Sequence, residues 1–224
     1  MTLETMLDVE NIKVVGFDLD QTLYPKSHEI DEAIQGYIHA KISEKKGINL
    51  IYAKKLFDDH YLRFGSGRKA LMGIGFENGA AEQIVQDALE SEDIINSLKP
   101  NQEDISLLKD LNLKFGNLSL ITGSSKEVAL KKLDKLGIKK ELFNFKIYGE
   151  DSSKSNGAAF IKWIEHYKKF GINYNNLLYV GDRKKTDVDL PLSLGINAIL
   201  VYSNEENPDF IQLNSLKDLR NLLL

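Results

Sequence analysis

The chain has 224 residues, with 29 basic and 33 acidic side chains, a formal net charge of −4 and no cysteine. This length suits one large domain or a core domain with a smaller insertion. The charge balance disfavours a nucleic-acid partner, and the lack of cysteine excludes disulfides, thiolate metal sites and a cysteine nucleophile. No apolar stretch approaches the ~20 residues that span a bilayer, and residues 1–10 lack a cationic region followed by an apolar core. We therefore expect a cytoplasmic protein with no membrane partner and no signal peptide.

The first predicted element is a buried strand, Ile12–Phe17, that ends at two aspartates. Because strand side chains alternate with a period of two, Asp18 and Asp20 should point the same way beyond its carboxyl end, where open α/β sheets bind ligands. Like charges ~4 Å apart repel by roughly 4 kcal/mol at an effective dielectric of ~20. A divalent cation is the usual compensation, although a solvated turn would use the same residue types.

A helical segment, residues 25–98, comes next and lacks a clear strand. Apolar residues at helical spacing over 30–42 and the stretches Leu50–Phe64 and Ala80–Leu89 predict helices, with glycine-rich breaks at 65–67 and 73–75. We therefore predict a core domain made of residues 1–24 and 99–224, and a helical domain inserted at 25–98.

Beyond the insertion, predicted strands alternate with predicted helices. The strands are Leu118–Thr122, Phe143–Tyr148, Leu177–Val180 and Ala198–Tyr202; the helices are Asp104–Leu111, Lys126–Leu136, Ala158–Phe170, Val188–Leu194 and Leu213–Leu224. The stretch 204–209 is polar and predicts a loop. This alternation predicts the α/β class, with a doubly wound parallel sheet and right-handed crossovers.

Two polar groups follow the second and third strands. Thr122, with the amides from Gly123 onward, could bind anionic oxygens at the start of a helix, although Ser124 could equally be an ordinary helix N-cap. Lys154 stands in a loop of small residues just before a helix. A lysine there suits a phosphoryl group or a carboxylate, although a lone lysine is more often solvated.

Two more aspartates follow the fourth strand. Asp182 comes directly after Gly181, and Asp187 lies at the start of the next predicted helix. Their oxygens are the ligands that magnesium prefers. A Gly-Asp turn and a helix N-terminal aspartate are the structural alternative. The neighbouring Asp189 is predicted to be exposed.

Taken together, these groups resemble, in order along the chain, the four motifs of the haloacid dehalogenase-like hydrolases: Asp18-x-Asp20-x-Thr22, Thr122, Lys154 and Gly181-Asp182-x-x-x-x-Asp187. The resemblance spans Ile12–Tyr202 and implies a Rossmann-like core with an inserted helical cap. The run Phe17–Pro25 resembles the pyrimidine 5′-nucleotidase-like branch. Gln21 departs from the family, in which glycine or asparagine is usual at that position.

The resemblance implies a phosphatase that acts through an aspartyl-phosphate. Asp18 would be the nucleophile, and Asp20 would protonate the leaving oxygen and then activate water. Thr122, Gly123 and Lys154 would bind the oxygens of the transferring group.

The cofactor implied by the resemblance is Mg²⁺. It would be held by Asp18, Asp182 and Asp187 together with the backbone carbonyl of Asp20. The helical cap would close over the site and exclude water.

Other activities use the same motifs in part. A phosphomutase or another phosphotransferase would carry all four. A dehalogenase also uses an aspartate nucleophile, but in the family it needs no magnesium and lacks an acid at the position of Asp20. A non-catalytic binding module on the same fold remains a third hypothesis, against which the retention of every chemical group argues.

The substrate is predicted only by class. A capped site favours a small phosphorylated metabolite, such as a nucleoside monophosphate, over a polymer. Arg68 lies in a segment of the cap that combines cations, aromatics and glycines, and it could bind the substrate, although an exposed helix end would look the same. No pattern indicates the oligomeric state.

Overall fold

The computed structural model describes residues 7–203 and 209–224. The described chain divides into two compact units: one runs up to Pro25 and resumes at Lys99, and the other is Lys26–Leu98. The predicted loop at 204–209 lies, apart from Asp209, outside the described residues. In the part of the chain that is described, every helix is too short or too polar to cross a membrane.

The first unit is built on a parallel sheet. Six strands are described: β1 (Val14–Phe17), β2 (Leu118–Ile121), β3 (Phe143–Ile147), β4 (Leu177–Gly181), β5 (Asn197–Val201) and β6 (Ile211–Leu213). They lie in the order β3-β2-β1-β4-β5-β6, with β1 paired to β2 on one side and to β4 on the other. The predicted α/β fold with a parallel sheet is confirmed.

Helices cover this sheet because its central strands are apolar on both faces. The helices are α6 (Gln102–Phe115), α7 (Lys126–Lys135), α8 (Ala158–Lys168), α9 (Leu190–Ser193) and α10 (Leu219–Leu223). All four residues of β1 are buried. Trp163 of α8 packs so closely on β1 that a Cβ on Gly16 would lie 2.7 Å from its ring. The central strand that carries the first two aspartates is therefore held firmly from one face.

The second unit is helical. It contains α1 (His28–Lys46), α2 (Leu50–Phe64), α3 (Gly67–Ile74), α4 (Asn78–Leu89) and α5 (Glu92–Ser97). Ser27 and Asn49 cap the first two helices by accepting hydrogen bonds from the backbone amides of Ile30 and Tyr52. The unit has its own core of buried Ile, Leu, Phe and Ala side chains, which includes Ile42 and Leu71.

The predicted break at 73–75 is found at Gly75, which ends α3 with a φ of 103°. Of the predicted helix Leu213–Leu224, Leu213 belongs to β6, which pairs with β5, and only Leu219–Leu223 is α-helical. The predicted helix Val188–Leu194 is helical, but it begins earlier, as the π-helical turn Lys184–Asp189, and continues as the short α9. In both cases a tertiary contact modifies the local pattern.

Candidate active site

Asp18 and Asp20 lie directly beyond the carboxyl end of β1, and both are buried. The Asp18 amide donates to the Val180 carbonyl of β4 at 2.9 Å, so the strand geometry continues to Asp18. The chain then turns sharply, and Gln21 adopts a φ of 59°. This left-handed conformation is easy for glycine and asparagine, which explains why those residues are usual at this position in the family.

Lys154 reaches from the loop before α8 into this group of acids. Its Nζ lies 2.5 Å from Asp18 Oδ1 and 2.9 Å from Asp187 Oδ1. It also donates to the Tyr179 hydroxyl at 3.1 Å, and that hydroxyl donates to the Ile121 carbonyl at 2.7 Å. The ammonium is therefore oriented by a buried tyrosine as well as attracted by two carboxylates. A solvated surface lysine would have none of these contacts.

Asp187 is positioned by the π-helical turn. Such turns are rare and occur often at functional sites. The turn folds Asp187 back so that the Arg183 amide donates to its Oδ2 at 3.0 Å, and the side chain is fully buried. Gly181 permits this close approach, because a Cβ there would lie 2.4 Å from Asp187 Oδ2.

Three carboxylates meet at this point. One oxygen from each of Asp18, Asp182 and Asp187 lies within 4.8 Å of the others, among the described residues. Lys154 contacts Asp18 and Asp187, and the Arg183 guanidinium is attracted by all three carboxylates, so one excess negative charge remains for a cation. Hard oxygen donors without thiols are the set that Mg²⁺ prefers. The residues present therefore fit the metal that the sequence predicts.

Thr122 and Gly123 follow β2. Thr122 is buried, and its Oγ1 accepts from the Ser124 amide at 3.0 Å, while Gly123 is exposed. The loop after β3 packs directly against them, since a Cβ on Gly149 would lie 2.2 Å from the Gly123 carbonyl oxygen. The structure brings both residues to the same sheet edge as the aspartates; their binding of phosphoryl oxygens stays a prediction.

Asp20 is held separately from the three-carboxylate cluster. Its Oδ1 accepts from the Tyr24 hydroxyl at 2.7 Å and contacts Lys132 Nζ, and its Oδ2 accepts from the Ser124 hydroxyl at 2.6 Å. Lys132 is completely buried. The Asp20 side chain is thus occupied by protein donors; its backbone carbonyl as a metal ligand stays a prediction.

Lys132, which contacts Asp20, was not predicted from the sequence. It lies on α7, in register with the buried residues Ala129, Leu133 and Leu136. A lysine at a position that belongs to the apolar stripe of a helix is unusual, because burying an unpaired charge is costly. That spacing was the available signal.

The buried charges shift one another's pKa values. Burial, aided by Asp187, raises the pKa of Asp18 to about 6 despite the neighbouring Lys154. Burial would also raise the pKa of Asp20, but Lys132 and the two hydroxyl donors outweigh it and lower that pKa below its usual value. The two aspartates at the end of β1 therefore have unlike environments: without a metal, the shift of Asp18 favours its protonated form and the shift of Asp20 favours its ionised form.

Arg68 lies in α3 of the helical unit. Its Nη1 is 3.7 Å from Glu82 Oε2 of α4, and both side chains are largely exposed. Exposed pairs of this kind contribute little to stability. The role of Arg68 in substrate binding stays a prediction.

Comparison with known proteins gives a consistent picture. The model of a family of hydrolases, the haloacid dehalogenase-like hydrolases, matches residues 12–190. A phosphatase from Thermococcus onnurineus superposes with a TM-score of 0.64 at 21% identity, over 95% of this chain and 98% of that one. A 2-haloacid dehalogenase from Pseudomonas syringae gives 0.56 at 20%, and the HAD-hydrolase YfnB from Bacillus subtilis, solved bound to magnesium, gives 0.58 at 17%, each over 95% and 98% of the two chains. At these identities the likeness shows a shared fold.

Proposed function

The chain belongs to the haloacid dehalogenase-like hydrolases, and from this membership we propose that it is a magnesium-dependent phosphatase. Its substrates are small phosphomonoesters, nucleoside monophosphates among them, and the reaction passes through an aspartyl-phosphate. The observation that carries this proposal is the pair of unlike aspartates at the end of β1, with Asp18 beside Lys154 and the acidic cluster and Asp20 held apart by its own donors.

In the first step a carboxylate oxygen of Asp18 attacks phosphorus and the bond from phosphorus to the leaving oxygen breaks. Asp20, in its protonated form, supplies the proton that the leaving oxygen takes up; its lowered pKa favours the carboxylate form, which acts in the second step. Lys154, with Thr122, binds the phosphoryl oxygens and keeps the attacking and leaving oxygens in line.

In the second step Asp20, now a carboxylate, takes a proton from a water molecule. The water oxygen attacks the same phosphorus, the bond to Asp18 breaks, and inorganic phosphate leaves. The proton is then on Asp20, ready for the next cycle. Bound among Asp18, Asp182 and Asp187, Mg²⁺ would supply neutralisation of the charge that develops on the phosphoryl oxygens.

Two related reactions, dehalogenation and phosphoryl transfer within a sugar phosphate, are weaker candidates for the function. Dehalogenation has no use for an acid at position 20, whereas three donors hold Asp20 in place here. A phosphomutase would need the same four motifs, so conversion of a sugar phosphate into its isomer is the assay that would favour it over net release of phosphate.

We expect phosphatase activity to depend on magnesium. Excess chelator should reduce hydrolysis of p-nitrophenyl phosphate at least about 100-fold, because the charge on the transferring group then lacks its main counterion. Added Mg²⁺ should restore the activity. Phosphate release, measured with and without chelator, tests this, and full activity in excess chelator would contradict the metal requirement.

We expect Arg68 to contribute to substrate choice. If it contacts a polar part of a nucleoside monophosphate, Arg68→Ala should lower kcat/KM for that substrate by roughly 100-fold and leave p-nitrophenyl phosphate nearly unchanged. A panel of phosphorylated metabolites assayed with magnesium identifies the substrate for the comparison.

The matched control is Glu82→Ala, which removes the partner of Arg68 within the helical unit. If Arg68 only supports that unit, both variants should behave alike on both substrates. Unchanged kinetics for Arg68→Ala on the identified substrate would rule out its role in binding.

A further inference from the structure

The buried lysine of α7 has no part in the two-step reaction described above, yet it lies in the same polar network. Lys132 has no solvent-accessible surface, and its Nζ contacts Asp20 Oδ1 and lies 3.5 Å from the Ser124 hydroxyl. Carrying an ammonium into a protein interior is unfavourable unless a partner compensates it. The partner is Asp20, a residue to which the proposed function gives two chemical tasks.

The three donors around Asp20 divide its oxygens between them. Lys132 and Tyr24 occupy Oδ1, and Ser124 occupies Oδ2. A carboxylate held through both oxygens cannot rotate about its Cβ–Cγ bond without breaking a contact, and the contact to an ammonium is the strongest of the three. The donors themselves are buried, so water cannot easily replace them.

We propose that Lys132, with Tyr24 and Ser124, forms a clamp that positions Asp20 for hydrolysis of the aspartyl-phosphate. This inference rests on the proposed function, since it needs Asp20 to act as the base in the second step. Lys132 is a positioning residue in this scheme: it touches neither substrate nor metal and acts through Asp20. A small error in the direction of a general base can slow a step by about 100-fold.

The second step can be isolated with an activated substrate. p-Nitrophenolate leaves without needing a proton. The kcat/KM for p-nitrophenyl phosphate therefore measures the rate of attack by Asp18 and depends little on Asp20. Loss of the clamp should then lower kcat and leave kcat/KM nearly unchanged. KM should fall in parallel with kcat, because the phosphorylated enzyme accumulates.

The experiment compares wild type with Lys132→Met and Lys132→Gln, with magnesium present. We expect kcat to fall about 100-fold for the methionine variant, with a burst of p-nitrophenol equal to the enzyme concentration before slow turnover. The glutamine variant keeps an N–H donor, so its kcat should fall less. In an Asp20→Asn background, Lys132→Met should have less than about a twofold further effect, because the group it positions is gone.

The matched control is Lys131→Met, the neighbouring exposed lysine of α7, which pairs with Glu127 and should behave as wild type. If the Lys132 variants do not fold, Tyr24→Phe and Ser124→Ala each remove one donor by a single-atom deletion. Each should lower kcat by a smaller factor and leave kcat/KM nearly unchanged.

The outcomes separate the two proposals. A parallel loss of kcat and kcat/KM, or wild-type kinetics in the clamp variants, would overturn the clamp while leaving the phosphatase intact. A wild-type enzyme that hydrolyses no aryl phosphate in the presence of magnesium would refute the proposed function, and the clamp would fall with it.

Discussion

Asp18→Asn is expected to abolish turnover while the protein remains folded. The amide has almost the shape of the carboxylate but cannot form an acyl phosphate, and Asp20 cannot replace it, because that carboxylate is clamped by its own donors. Loss of a covalent nucleophile typically lowers kcat by roughly 10⁴-fold or more. Phosphate release and trapping of the phosphorylated enzyme measure the effect. Activity near that of wild type in this variant would rule out the aspartyl-phosphate mechanism.

The same variant should be more stable than wild type when no metal is bound. Burial, with repulsion from Asp187, raises the pKa of Asp18 to about 6 from an ordinary value of 3.8. A carboxyl whose pKa is raised by folding destabilises the folded state above that pKa, and the penalty disappears as the pH falls through about 6 towards the unfolded value. Asparagine carries no such penalty.

In excess chelator we therefore expect the Asp18→Asn variant to unfold with a free energy about 3 kcal/mol above wild type near pH 8, and with little difference near pH 4. Urea unfolding at the two pH values measures the difference. A variant less stable than wild type at the higher pH would show that the ion pair with Lys154 outweighs burial and repulsion.

Gly181→Ala is expected to have the second largest effect, on both stability and activity. A Cβ at this position would lie 2.4 Å from Asp187 Cβ and from its Oδ2. Asp187 is fully buried and has nowhere to move without leaving Lys154 and the Arg183 amide. Overpacking of this kind destabilises proteins by about 1–3 kcal/mol. Displacing Asp187, a proposed metal ligand, should also reduce kcat/KM at least about 100-fold.

Urea unfolding, magnesium titration and steady-state kinetics of this variant test the prediction. The matched control is Gly36→Ala in α1, where an added Cβ meets no atom within 4 Å. That change should stabilise the helix by about 0.5–1 kcal/mol, because alanine favours helices over glycine, and it should leave activity unchanged. Wild-type magnesium affinity in the Gly181→Ala protein would show that Asp187 is not needed to hold the metal.

The sheet and the positions of the acidic residues were predictable because they depend on local regularities. A run such as Ile12–Phe17, apolar at every position, predicts a strand buried on both faces, and parallel strands put the residues that follow them at one edge. Asp18, Lys154 and Asp187 are far apart in sequence, yet each follows a strand that ends at this edge. The order of the four motifs along the chain indicated the resemblance to the haloacid dehalogenase-like hydrolases.

The clamp around Asp20 was not predictable in the same way. Tyr24 and Ser124 are residue types that turns and helix caps use in any protein, so their presence carries little information before the loops are brought together. Lys132 left a signal only in its register with the apolar residues of α7, and identifying its partner required the fold.

The π-helical turn shows a second limit. The spacing from Val188 to Leu194 predicts an ordinary helix, and nothing local indicates the π-helical turn Lys184–Asp189. The extra residue in the turn is accommodated by packing, since Asp187 must reach back against Gly181, where its oxygens contact Lys154 and accept from a backbone amide. Such a choice depends on atoms that are distant in the sequence.

The strand order determines when β1 can pair during synthesis on the ribosome. Val15 of β1 is synthesised early, but its partners are Leu118 of β2 and Leu178 of β4. During synthesis β1 therefore stays unpaired until β2 and β4 have left the ribosome. The helices of Lys26–Leu98 can form earlier, because their contacts are local. Asp18 and Asp182 come together only when β1 pairs with β4, so a nascent chain that ends before Leu177 cannot form the three-carboxylate cluster.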